Sequence, residues 1–423
     1  MRRGKFRVLD RLVKVALRAS LALALGASVL GLSSGTAVAQ TAAPAAPAGP
    51  VVKDQGEYDA IQAVSKETDP TKKLALLNAW QDKYPDSQFK NPRLLQYMDT
   101  WSKIATKALT TPAPTPEILS AAKDAASKLL ANLDTAFSAA AKPAAVTDDQ
   151  WKAARGQVEQ QAHMVLGYVA LQNKDYPGAE AEFKTFDGLN DQNAQVAYWW
   201  GTAIASQHQI PRTPEALYEF ARAVVTTGPG ALSDPGKKAA SDYLTKAWNG
   251  YHGDDDPKGL TDLKAMAAKS AIPPDDIDKT VLSVVEREKL KAGSEEDYLK
   301  AHPDIKLWRD LKATLTAPDG DDYFNKSVKG ALIPQEFKAK IVSWTPDTNP
   351  TEVKIAIDDP NGDAMIKYEK PLHAKLTAGD SVTIQGMATA FTKDPFLVTF
   401  DGDQSKITGI TIEKPKPVVH HRK

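Results

Sequence analysis

The stretch LGYVALQNKDYPGAEAEF, Leu166 to Phe183, reads as a helix that stops and starts again. Leu166, Ala170 and Leu171 keep helical spacing; Asn173, Pro177 and Gly178 interrupt it; Ala179 and Phe183 resume it. Each of these two short helices is apolar on one face, and neither can bury that face alone. Their neighbours in the chain must complete the core.

Working outward, the helical reading extends from about Asp54 to Gly330. Thr115 before Pro116 and Thr213 before Pro214 each place a capping residue ahead of a proline suited to a first helical turn. Thr147 with Gln150 has capping-box spacing, and Trp151 opens the apolar run behind it. Roughly a dozen helices, parted by short Pro, Gly and Asp clusters, fill this region.

From Phe337 the period changes from helical to twofold. Phe337, Ala339 and Ile341 share one face, as do Val353, Ile355 and Ile357; Val382 with Ile384, and Phe396, Val398 and Phe400, repeat the alternation. Asp359-Pro360-Asn361-Gly362 between two such runs signals a hairpin turn. The expectation is five or six short strands in a small antiparallel sheet or barrel over 331–413, with a polar, disordered tail at 414–423.

The spacing in the opening stretch resembles the tetratricopeptide repeat. Leu166-Gly167 is followed by Ala179 twelve residues after the glycine, and by Phe183 four later. Small residues at Gly167 and Ala179 allow a close helix crossing, which Leu166 and Phe183 fill around. His163 and Ala170 depart from the family's tryptophan and tyrosine. A second unit keeps Trp200-Gly201, Ala216, Phe220 and Ala223; Lys246–Ala267 and the segment EYDAIQAV with KKLALLNAWQDKYPDS resemble looser pairs. An irregular helical bundle is the alternative. The resemblance implies a concave surface lined by the first helix of each pair, here Gln161, Met164, Tyr168, Gln195, Tyr198 and Thr202. The C-terminal strands resemble an oligonucleotide/oligosaccharide-binding (OB) fold through LTAGDSVTIQGMATAF, with another small barrel as the alternative.

Residues 1–39 combine a basic stretch ending at Arg18, an apolar run from Leu21 to Leu32, and small residues at Ala37 and Ala39. This is the pattern of a secretory signal peptide, and the run falls short of the ~20 residues that span a bilayer. An uncleaved anchor is the alternative. Thr41–Pro50, TAAPAAPAGP, has spacer composition within an Ala/Pro-rich linker at 40–53. The expected product is periplasmic or secreted, with no stable membrane anchor once the leader is cleaved. Seven of the 53 basic groups and one of the 53 acidic groups lie in the leader, so the remainder is acidic, at net −6. The chain has no cysteine, which excludes disulfides and thiolate chemistry. From Ala331 to Glu413 eight lysines face twelve acids, the wrong sign for binding nucleic acid.

No catalytic pattern holds together. Gly31–Gly35, GLSSG, matches a nucleophile elbow by letter but lies in the leader. Gly228–Lys238 lacks the glycine spacing of a phosphate loop, and Ser120 with Lys123 lacks the companion motifs of penicillin-recognising enzymes. His252 with Asp254, Asp255 and Asp256 has metal-ligand chemistry, although acids ahead of a helix also complement its dipole. The leading expectation is a non-enzymatic extracytoplasmic scaffold or adaptor, without metal or cofactor, binding a protein partner through its helical array. The alternatives are a metal-dependent envelope hydrolase using His252–Asp256, and a C-terminal barrel that binds cell-wall glycan.

Overall fold

The computed structural model describes residues 51–411. The leader, the spacer up to Pro50 and the tail therefore lie outside the described residues. Among the described residues fifteen α-helices precede seven strands, and the chain divides into two compact units. The first takes in the described residues up to Ala203 together with Thr226–Lys238; the second takes in Ile204–Val225 and the described residues from Ala239 onward. Among the described residues no helix is long and apolar enough to cross a membrane.

The first unit contains α1 (Gln55–Lys66), α2 (Pro70–Lys83), α3 (Lys90–Thr110), α4 (Pro116–Ala136), α5 (Asp148–Gln172), α6 (Tyr176–Leu189) and most of α7 (Ala194–Ala205). Two of these helices, α4 and α5, start on side-chain caps where the sequence predicts them. Thr115 accepts from the Ile118 N–H, and Thr147 with Gln150 completes a reciprocal capping box. The break in the opening stretch falls at Asn173–Asp175. Lys174 turns the chain with a left-handed φ of 62°, and Asp175 caps α6 through the Gly178 N–H. Each helix packs on the next from α1 to α6, and α3 also packs directly on α5. At the α5–α6 crossing, Ala179 and Phe183 are fully buried, and a Cβ at Gly167 would lie 2.5 Å from the Phe183 ring. The core is rich in alanine (Ala105, Ala108, Ala122, Ala126, Ala162), which lets the helix axes approach closely.

The second unit opens with α8 (Thr213–Val225), nearly all of which is buried. Thr213 already has helical dihedrals after the 3₁₀ turn Ile210–Arg212, so it is not the cap that its position before proline suggests. On one face of α8 the Tyr218 hydroxyl lies 2.9 Å from the Ser270 carbonyl, and Arg222 donates to the Ala271 carbonyl at 2.6 Å. These bonds tie α8 to the loop after α10 (Pro257–Ala267). Between them in the chain lies α9 (Asp234–Tyr251), and α11 (Ile277–Thr280), α12 (Val284–Ala292), α13 (Glu295–Ala301), α14 (Pro303–Thr316) and α15 (Gly320–Tyr323) lead to the strands.

The strands are β1 (Phe337–Thr345), β2 (Glu352–Ala356), β3 (Ala364–Lys367), β4 (Ser381–Gln385), β5 (Ala388–Lys393), β6 (Phe396–Asp401) and β7 (Lys406–Thr408), in the order β5-β6-β3-β2-β1-β4-β7. The predicted hairpin turn joins β2 to β3, with the Gly362 N–H on the Asp359 carbonyl and Gly362 at φ 93°. The expectation of a purely antiparallel barrel requires correction. The sheet is mixed, because β6 lies parallel to β3, and no ladder joins the two ends of the strand order. Twofold alternation reports which face of a strand is buried and carries no information on the direction of its neighbour.

The alternating residues Phe337, Ile341, Val353, Ile355, Ile366, Ile384, Val398 and Phe400 form one core with helical residues that precede Gly330. Trp308 of α14 is fully buried there, 5.2 Å from Phe337 and 6.2 Å from Phe400. Its indole N–H donates at 2.6 Å to Asp363, whose carboxylate also accepts the N–H groups of Ile357, Asp358 and Asp359. Arg309 makes a two-pronged contact with Asp358, at 2.7 Å on each arm. The fold class changes near Gly330, but the hydrophobic core runs across that point.

Candidate binding face and the His252–Asp256 cluster

The six residues assigned to a concave surface are placed differently by α5 and α7. Gln161 is 9% exposed; its oxygen accepts from the Ser102 hydroxyl at 2.9 Å, and its amide donates to the Ser102 carbonyl. That side chain joins α5 to α3 and presents little to solvent. Met164 and Tyr168 are half-buried one helical turn apart, and the Tyr168 ring lies 4.9 Å from Trp199. Burial raises the Tyr168 pKa above its ordinary value, so its hydroxyl stays neutral. Gln195, Tyr198 and Thr202 are half-buried on α7, where the Thr202 hydroxyl donates to the Tyr198 carbonyl at 2.8 Å.

Trp199 is the residue that sequence reasoning passed over. It bridges Tyr168 and Phe183, with the Phe183 ring 6.1 Å away, and completes an aromatic group between α5, α6 and α7. The run Tyr198-Trp199-Trp200 held the signal: Trp200 accounts for one packing position and leaves a second tryptophan to place.

A longer strip, exposed at its start and half-buried towards its end, runs along α5. Asp149, Ala153, Gly156, Gln160, Met164 and Tyr168 recur at intervals of three and four residues, so they share one helical face. A shallow groove of about 500 Å³ lies over its first half, lined by Asp149, Lys152, Ala153, Gly156, Gln157 and Gln160. Nothing lies within 4 Å of where a Gly156 Cβ would sit. Gln160 is oriented by the Leu189 carbonyl and the Asn190 amide, and His163 by Glu182 at 2.7 Å. The strip thus combines apolar, aromatic and amide groups on a rigid helix, which suits it to contacts with another chain.

The His252–Asp256 cluster is assembled differently from a metal centre. His252 is 5% exposed, its Nδ1 is 2.6 Å from the Leu282 carbonyl, and its Nε2 is 3.1 Å from Asp256. Neither nitrogen is open to a metal. Asp256 caps α10 through the Gly259 N–H, which together with His252 lowers its pKa. Asp255 is bound by Arg287 and Lys291, which hold its pKa down to about 2. Among the described residues no group of three or more His, Asp or Glu side chains has the arrangement to hold a metal ion.

Comparison of the chain with protein-family models, with curated proteins and with solved structures returns no match in any of the three.

Proposed function

We propose that this protein is a non-enzymatic adaptor outside the cytoplasm, whose tetratricopeptide-like helices bind a protein partner. The observation that carries the reading is the packing of the first unit. Successive helices pack on each other, α3 and α5 also touch directly, and Gly167 with Phe183 closes the α5–α6 crossing. The α3–α5 contact is the one such pairing that supports a repeat-like layering, in which the α5 strip from Asp149 to Tyr168 would belong to a shared surface. The hydrogen bonds at both nitrogens of His252 count against the ligand set that the hydrolase alternative would use. The extracytoplasmic placement rests on the leader sequence, and the acidic C-terminal region argues against a nucleic-acid partner.

For the sheet we favour the OB-like barrel. Gly386 and Met387 alone separate β4 from β5, a link that reaches about 10 Å. In the strand order these two strands stand five places apart, about 24 Å in a flat sheet. A sheet that meets both conditions has to curl strongly, with β4 and β5 acting as one bent strand.

Photo-crosslinking in the native envelope tests the adaptor reading. A crosslinking side chain at Gln157 or Met164 should trap one defined partner, and the same group at exposed Lys184 on α6 should not. Equal adducts from both faces, or none from the α5 strip, would overturn it.

A further inference from the structure

Between α7 and α8 the chain makes a tight turn that places an imidazole against the end of the sheet. His208 sits there with a left-handed φ of 55°, a conformation that a residue with a Cβ holds only when its surroundings enforce it. Its ring centroid lies 5.8 Å from that of Trp344, the penultimate residue of β1, at an interplanar angle of 50°. Trp344 is itself held, packed on the sheet core with its indole N–H on the Asp347 carbonyl. The His208 Nδ1 is buried without a hydrogen-bond partner.

We propose that His208 is an acid-sensitive latch: neutral, its ring seats the α7–α8 connection on Trp344, and gaining a proton unseats it. Three costs converge on this one residue. The left-handed backbone is strained, the buried nitrogen lacks a partner, and among the described residues no charged group acts on the ring as a counterion. The charged group on its own connection, Arg212, is engaged by Glu215. From the sheet side the ring meets Trp344, behind which Asp347 presents its backbone carbonyl to the indole. Among the described residues no carboxylate accepts a hydrogen bond from the ring, and burial alone lowers its pKa. The attraction between an imidazolium and the indole face opposes release, but that attraction survives partial exposure, whereas the desolvation cost does not. Unseating therefore relieves strain and hydrates the charge in a single movement.

The sign follows from linkage. A histidine whose folded pKa is depressed stabilises the seated state above its ordinary value, and that contribution fades as pH falls through the ordinary value towards the depressed one. Each unit of depression favours opening by up to about tenfold at pH below both values.

Hydrogen exchange of the full chain between pH 7.5 and 4.5, corrected for intrinsic rates, reads this directly. Amides from Ser206 to Arg212 should lose protection in acid in the wild type. In His208→Asn, which tolerates the left-handed backbone and does not titrate, protection should be independent of pH. Trp344→Phe supplies a second readout: an acid-induced change in tryptophan emission present in the wild type should disappear with either substitution. Unchanged protection in the wild type, or an equal acid response in His208→Asn, would overturn the latch. Should His208→Asn fail to fold, His208→Gln carries the same test.

Discussion

The first unit and the sheet-bearing unit bury their apolar surface by opposite means. In the first, each helix rests on its sequence neighbours, and many core positions are alanines that let helix axes approach. In the second, one tryptophan from α14 sits among phenylalanines of two strands, and its N–H reaches an aspartate 55 residues away. A chain of neighbour contacts tolerates damage at one link, whereas a core gathered around one side chain concentrates its stability there. The comparison predicts where substitutions should be severe and how far their effects should travel.

The sharpest way to break it is Trp308→Ala. Loss of a fully buried tryptophan costs roughly 3–5 kcal/mol, and it also strips the buried Asp363 carboxylate of one donor. Calorimetry should show the transition of the sheet-bearing unit lowered or lost and that of the first unit retained. Equal loss in both would dissolve the contrast. The same reasoning separates two fragments: 294–413, which keeps Trp308 and Arg309, should unfold cooperatively, and 331–413 should not.

Next in size is Ala179→Leu at the α5–α6 crossing. Ala179 and Phe183 are fully buried at this crossing, so overpacking should cost roughly 1–3 kcal/mol. Melting of the first unit should fall, and hydrogen exchange should map the damage to α5, α6 and their neighbours. A wild-type melt would mean that the crossing is looser than the contacts at Gly167 indicate.

Two glycines of α5 should then respond with opposite signs. A Cβ at Gly167 collides with Phe183, so Gly167→Ala should destabilise. Gly156 faces open space, and Gly156→Ala should stabilise by up to about 1 kcal/mol through helix propensity. Denaturant titration of the pair measures both; a shared sign would contradict the assignment of inner and outer faces on α5.

The smallest effect concerns Asp255, an exposed carboxylate held by Arg287 and Lys291. Its folded pKa lies near 2 against an ordinary 3.8, so its contribution is full above the ordinary value and is lost as pH falls from about 3.8 towards 2. Wild type and Asp255→Asn should differ slightly at neutral pH and converge in that acid window. A difference that persists at pH 2 would assign the effect to something other than this carboxylate.

How much of the site was legible follows from the same contrast. Met164 and Tyr168 share a face because a helix repeats every 3.6 residues, and that follows from their positions alone. Gln161, one turn before Met164 and two before Tyr168, turns inward because Ser102 of α3 meets it, a partner 59 residues away. The metal alternative at His252 arises because a histidine and three aspartates stand close in sequence. The fold brings the Leu282 carbonyl to one nitrogen and leaves the aspartates to a helix cap and to Arg287.

From contiguous residues alone the helical stretches, the caps at Thr115 and Thr147, the break after Leu171, the change of period at Phe337 and the turn at Asp359–Gly362 could be read. Each depends on backbone geometry and on side chains within a few positions of one another. The parallel pairing of β3 with β6, the seating of Trp308 among the strands, the inward turn of Gln161 and the bonds that close His252 came from tertiary structure. Those outcomes depend on which distant surfaces meet. Periodicity states that a face will be buried, and the partner that buries it is chosen by the packing of the whole unit.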